Sequence, residues 1–364
     1  MVKKNYSIDF LRIYMCILIC FMHLCNQVLY PFNNNYGIPC INAIGLCVEC
    51  FFIMSGFFLC LSKKSLKENT LGRIIRLWPL LAFSTIIAGI LRLFHISRIS
   101  LTFEDIQNLL FLQGTGILQG GATNGPAWYV GVLFWVCLAL YIIKVKTSIL
   151  KQFLIIATIT ISSFLLLWLP PGDIIYNRVR DFVPYTIISV MLARGFAAIG
   201  LGYLLGVLQK TFFIKTYNFQ FNVYKKLIFT FVEITLLVLF TLVMLKGYTS
   251  IPLIYNYFLT LIIFSIMLII FFNNLGYLSS RVLDNKLVQI GGGDSYSIYI
   301  MQNVVFSIIS YLVMHNIEFI NNNIWQTILY SMLLFIFVGI ISKHIVDYII
   351  KSVSEIVLKY KEKK

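Results

Sequence analysis

Runs of roughly twenty apolar residues recur along this chain, and few charges interrupt them. Nothing constrains its folding more, because such runs are long enough to cross the ~30 Å hydrocarbon core of a bilayer as helices. Ten spans are expected, at about 10–30, 41–61, 74–94, 128–143, 151–169, 184–208, 227–245, 254–272, 295–314 and 324–342. With 59% hydrophobic residues, 12% charged and a mean hydropathy of +0.87, a soluble globular fold is excluded. The segments do not alternate polar and apolar residues, which excludes an outer-membrane barrel. The expected fold is all-α: a polytopic integral membrane protein, one domain over 1–364 with about ten transmembrane helices.

The net charge of +15 does not point to nucleic acid, because the charges are sorted by loop. On the side of the two termini the loops and tail hold 23 Lys and Arg, against 5 on the other side, with Arg194 inside a span. The positive-inside rule then places both termini in the cytoplasm. The N-terminus, MVKKNYSIDFLR, runs into a full-length span with no small-residue cleavage site, so a retained first helix is expected rather than a signal peptide. The tail, 343–364, is basic and amphipathic, the kind of segment that lies on the inner membrane surface. The longest outer connection, 95–127, begins with HISRISLTFEDIQNLLF, suited to a short interfacial helix. It then turns Gly-rich, as an irregular loop over an opening or a plain water-exposed loop. Of eight cysteines, Cys16, Cys20, Cys25, Cys47, Cys50, Cys60 and Cys137 fall in or beside spans as small apolar filler, while Cys40 sits at an outer loop edge. No Cys or His spacing resembles a zinc site, and no metal is expected.

Ionisable residues inside a bilayer are costly, and each is a functional candidate. The first group is Asp9, Arg12 and His23. Asp9 and Arg12 are i,i+3 neighbours and can pair. Arg12 and His23 lie almost three whole turns apart, on one helix face and about 16 Å along the axis. Arg12 also suits an ordinary positive-inside anchor. The second candidate is Glu49, at a depth similar to that of His23, where a carboxylate can orient an imidazole for proton abstraction. The third is the basic run KKSLKENTLGRIIRLWP, with Lys63, Lys64, Lys67, Arg73 and Arg76. Paired guanidinia there can grip phosphate, or simply mark topology and anionic lipid. Arg194 and Glu233 are further buried charges whose partners the sequence does not assign. Trp128 and Tyr129 fit an aromatic interface belt.

In this order the pieces resemble the acyltransferase 3 family of integral-membrane O-acyltransferases. Asp9, Arg12 and His23 match its Asp-x-x-Arg followed by ten residues and His. FFIMSGFFL, RIIRLWP, AWYVGVLFW, GLGYLLG and SYSIYIMQ, the last containing Ser295 and Tyr299, resemble its later runs. Two positions depart from the pattern: Glu49 stands where Asp is frequent, and Gln302 where the last run often ends in His. A catalytic role at position 302 is thus not carried over, since Gln is no base near neutral pH.

The resemblance implies acyl-CoA, in the first instance acetyl-CoA, docked on Arg73, Arg76, Lys63 and Lys64. His23, aided by Glu49 and Arg12, would activate a hydroxyl of a surface or exported polysaccharide. An acyl-His intermediate is the mechanistic variant. Asp9, Trp128, Ser295 and Tyr299 would support the site. Implied partners are the bilayer, a glycan acceptor and polysaccharide assembly proteins, in the inner membrane of a bacterium. A transporter or flippase is the competing reading, although no internal repeat favours it; a scaffold would leave the Arg12–His23 spacing without a purpose.

Overall fold

A computed structural model describes residues 5–25, 43–93, 104–117, 124–168, 188–213, 222–246, 253–315 and 323–362. Cys40 lies outside the described residues, as do parts of the expected spans at 26–30, 41–42, 94, 169 and 184–187 and stretches 95–103 and 118–123 of the long connection. What is described is overwhelmingly helical.

Asn5 caps the first helix, α1 (Tyr6–His23), by accepting from the Ser7 N–H at 3.2 Å. A 3-10 turn (Ala43–Leu46) leads into α2 (Cys47–Leu61). Next comes α3 (Leu66–Leu93), which starts well before the apolar residues near 74. The reason is a capping box: the Ser65 N–H donates to Glu68 Oε2 (2.8 Å), and the Glu68 N–H to Ser65 Oγ (3.2 Å). There follow α4 (Glu104–Leu109), α5 (Ala127–Lys146), α6 (Ile149–Trp168), α7 (Val190–Leu208) and α8 (Val223–Lys246). The chain then forms α9 (Leu253–Phe272), α10 (Lys286–His315) and α11 (Ile324–Glu362). Among the described residues nine helices are long and apolar enough to cross a membrane, and the 15-residue α2 is a shorter apolar helix. The all-α, multi-pass architecture expected from the sequence is the one observed. The described part of the tail continues α11, a 39-residue helix. At 1.5 Å per residue α11 is about 58 Å long, nearly twice the hydrocarbon thickness.

In lipid, helices associate through close packing, and small residues allow it. The pair at the centre, α2 and α7, shows this. A Cβ on Gly56 would overlap the Ile199 carbonyl, one on Gly202 would overlap the Ile53 carbonyl, and Gly206 meets Cys60 and Phe57. Gly202 and Gly206 are one turn apart, the small-xxx-small spacing. Around this pair, Gly200 admits Thr160 of α6, while Gly292 of α10 lies against the backbone of Asp9 in α1. On the periphery α6 and α8 turn large apolar side chains outward, among them Leu165 and Phe231.

The described part of the long connection does not stay above the bundle. Its short helix is there as α4, but the following turn folds inward and is held by two tryptophans from the helices. Trp78 Nε1 donates to the Leu109 carbonyl (2.9 Å), and Trp135 Nε1 to the Phe111 carbonyl (3.0 Å). Ser189 Oγ donates to Gly114 O at 2.8 Å. Trp78 lies fifteen residues before the end of α3, about 22 Å along it. Irregular backbone at such depth is tolerated where protein satisfies its carbonyls, as these three bonds do. The turn needs left-handed backbone at Phe111 (φ 58°), Gly114 (φ 78°) and Gly116 (φ 80°).

Candidate active site

One cavity of about 450 Å³ opens between α1, α2, α3, α5 and α10. Its mouth is basic. Arg12 comes from α1, Lys64 from the α2–α3 link, and Arg73 and Arg76 from successive turns of α3 that the Ser65 cap holds helical. Arg12 Nη1 pairs with Asp9 Oδ1 at 2.9 Å, and its guanidinium lies over the Phe58 ring, 5.5 Å from the centroid. Arg73 Nε donates to Asn69 Oδ1 at 3.0 Å, leaving its two terminal nitrogens for a ligand. Arg76 has Arg73 and Arg12 as charged neighbours, and among the described residues no acceptor engages it. Of the four cations only Arg12 is held in an ion pair, with Asp9, and an anion of several charges is the ligand this arrangement favours. Lys63 is exposed and lies outside the cavity wall.

Deeper in, the lining turns apolar and aromatic, with Phe51, Met54, Phe58 and Leu133. Tyr129 and Tyr299 mark the inner end, their rings edge to face at 5.4 Å. Their neighbours hold them: Tyr129 stacks on Phe52 (4.9 Å), and Tyr299 Oη donates to Pro126 O (3.2 Å). Ser295 also lines the wall, its hydroxyl donating to Gly292 O at 2.8 Å.

His23 stands beyond that end. It does not line the cavity; its ring packs on the edge of Phe306 at 5.7 Å. Phe306 is seven residues past Tyr299 on α10, about 10 Å along the helix. The structure therefore brings Arg12, Arg73, Arg76, Lys64, Ser295 and Tyr299 together and sets His23 apart from them.

Glu49 requires a correction. Its carboxylate does not orient His23, because Arg194 takes it: Arg194 Nε donates to Glu49 Oε1 at 2.5 Å, with both side chains buried. The same guanidinium lies 5.1 Å from the centre of the Trp128 ring. Trp128 and Tyr129 consequently belong to the protein interior rather than to an interface belt. The Glu49–Arg194 pairing escaped the sequence, since no spacing links two residues 145 positions apart. Glu233 is structural: it accepts from the N–H groups of Gly276 (3.1 Å) and Ser279 (3.3 Å) and from the Ser279 hydroxyl, capping the turn after α9.

Two lysines have a role the sequence did not suggest. Lys144 Nζ donates to the carbonyls of Leu59 (2.9 Å), Cys60 (2.9 Å) and Ser62 (2.5 Å), and Lys210 Nζ to Cys60 O (2.6 Å). They satisfy the open carbonyls at the end of α2 and complement its dipole. Seven described cysteines are buried and unbridged, and among the described residues no group of His, Cys, Asp or Glu could hold a metal.

A family model described as an acyltransferase domain, acyltransferase 3, matches residues 5–343. Neither a curated protein nor a solved structure is similar enough to match.

Proposed function

The chain belongs to the acyltransferase family whose model it matches, and from that premise we propose that it moves an acetyl group from cytoplasmic acyl-CoA to a hydroxyl of a cell-surface or exported polysaccharide. The observation that carries this reading is the cavity: a mouth of four cations, of which Arg12 is paired with Asp9, leading to an apolar and aromatic interior. A nucleotide phosphate group suits the first part and a pantetheine thioester the second. Lys and Arg crowd the loops at this end, so it faces the cytoplasm of a bacterial inner membrane, with both termini.

In this reading Arg73, Arg76 and Lys64 hold the donor's phosphates, and Arg12, fixed by Asp9, completes the mouth. The arm passes Tyr129 and Tyr299 toward His23. There the imidazole takes the proton of the acceptor hydroxyl as its oxygen attacks the thioester carbonyl. An ester bond forms, the C–S bond breaks, and the thiolate leaves to be protonated as CoA. Glu49 acts at a distance, by keeping Arg194 and Trp128 in place.

The test is the ester content of surface glycan from cells lacking the protein, complemented with wild type or His23→Ala. Wild type should restore base-labile acetyl groups and His23→Ala should not, with the amount of exported glycan equal in both. Loss of export with ester content per glycan unchanged would replace this reading with a transporter.

A further inference from the structure

We propose that the end of α4 and the inward-folded turn after it, through Asn108, Gln113 and the nearby Asn124, are the subsite that holds the hydroxyl-rich acceptor; this rests on the transferase reading above. All three carboxamides are buried, at 1%, 8% and 1% exposure. Neither amide atom of Asn108 has a hydrogen-bond partner, and the same holds for Gln113 Oε1 and Asn124 Oδ1. Gln113 Nε2 reaches Gly125 O only at 3.4 Å, whereas Asn124 Nδ2 is well used, by Ser84 Oγ (2.8 Å) and Ile300 O (3.2 Å). Leaving one such atom unmet costs about 1–3 kcal/mol, and the large majority of buried side-chain polar atoms avoid it. Four unmet atoms on the end of α4, the turn after it and the entry to α5 therefore mark a place that a ligand completes.

The chemistry of the open atoms selects the ligand. Three are carbonyl oxygens and one is an amide nitrogen, so the partner must mainly donate hydrogen bonds. Sugar hydroxyls do so; a phosphate or carboxylate offers only acceptors and would be rejected. Position agrees with this. Asn124 binds the carbonyl of Ile300, six residues before the Phe306 that packs on His23, and Tyr299 at the end of the donor cavity binds Pro126. The entry to α5 thus rests on α10 beside the donor's inner end, and Gln113 joins the turn to it through Gly125. Trp78 and Trp135 hold the turn there in a left-handed conformation, the kind of stored strain found at ligand sites.

The experiment uses the full chain in lipid nanodiscs, radiolabelled acetyl-CoA, and base-treated glycan from cells lacking the protein. Asn108→Leu and Gln113→Met replace unmet amides by apolar groups of similar size. Each should leave the unfolding temperature unchanged or raised, lift the glycan KM at least tenfold, and keep the acetyl-CoA KM within twofold. A glycan KM within twofold of wild type in both variants overturns the proposal, and ordered water then fills the turn. A lower unfolding temperature with both KM values altered overturns it as well, since the amides are then structural. Glycan binding without donor separates the two readings. Wild type that binds glycan but transfers nothing sinks the transferase while weakened binding by Asn108→Leu keeps the subsite; equal binding by both proteins removes the subsite alone.

Discussion

Removing either partner of the Glu49–Arg194 pair should damage the fold far more than removing both. The pair sits at 2.5 Å with 0% and 7% of the two side chains exposed, so solvent screens it little. Stripping one partner from a buried ion pair costs about 3–5 kcal/mol, because the other charge stays buried alone. Glu49→Leu should show that full cost, since a guanidinium cannot shed its proton. Arg194→Met should cost less, because the carboxylate left behind can take up a proton. Replacing both by apolar groups is about neutral in comparable cases. A small deficit remains for the lost contact with Trp128, worth about 1–2 kcal/mol, part of which Met recovers by packing on the ring. At about 2 °C per kcal/mol, Glu49→Leu should unfold roughly 6–10 °C below wild type and the double variant within about 4 °C of it. The seven buried free cysteines supply the assay, because a thiol-reactive fluorophore reads their exposure as detergent-solubilised protein is heated. If the double variant falls by the sum of the two single losses, the residues are not coupled and the assignment of Glu49 to Arg194 is wrong.

Arg76→Ala should raise the KM for acetyl-CoA about tenfold to a hundredfold, the worth of one charge-assisted hydrogen bond of about 1.5–3 kcal/mol, while the unfolding temperature stays put because among the described residues no acceptor engages Arg76. Initial rates against donor concentration at two salt levels check this, and an unchanged KM would remove Arg76 from the donor site. Gly202→Leu drives a branched side chain into the Ile53 carbonyl, so overpacking should cost at least about 1–3 kcal/mol and lower the thiol-exposure temperature. Full stability of that variant would mean that α2 and α7 do not pack through this glycine.

Apolar length made the membrane class legible, since the hydrocarbon core sets how many residues a helix must bury. Helix ends were less legible for a related reason. Polar turns beyond the apolar stretch carry no hydropathy signal, although Ser65 and Glu68 formed a recognisable capping box, and Asn285 similarly caps α10 by accepting from the Val288 N–H at 3.0 Å. Within the candidate site, the i,i+3 contact of Asp9 with Arg12 could be read from spacing. So could the pairing of Arg73 and Arg76 on one helix, because helical geometry fixes such neighbours. Contacts across helices could not. Glu49 and His23 have similar depth in their helices, yet depth says nothing about rotation about the bundle axis, and Arg194 proved to be the partner. The inward turn was hidden because Gly-rich composition signals irregular backbone without saying where it goes.

Polar groups are treated differently at the two ends of this bundle, and that difference fits an enzyme whose substrates arrive from opposite sides. At the basic end most have protein partners or face the cavity: Lys144 and Lys210 cap α2, Lys343 meets Asp294, and Arg12 meets Asp9. Past Tyr129 and Tyr299, Asn108, Asn124, Gln302, Tyr257 and one oxygen of Glu49 are buried with atoms left unmet. A transferase of this kind must let donor and acceptor meet without leaving an aqueous path that would leak ions. Closing the middle with aromatic rings provides the seal, and it also separates His23 from the cavity by about two turns of α10. The unmet atoms make that sealed state costly by about 1–3 kcal/mol each. Under the proposed mechanism, substrates that supply their partners would lower the energy of an open arrangement relative to the closed one, so acceptor binding itself would favour the state in which the thioester can reach the imidazole.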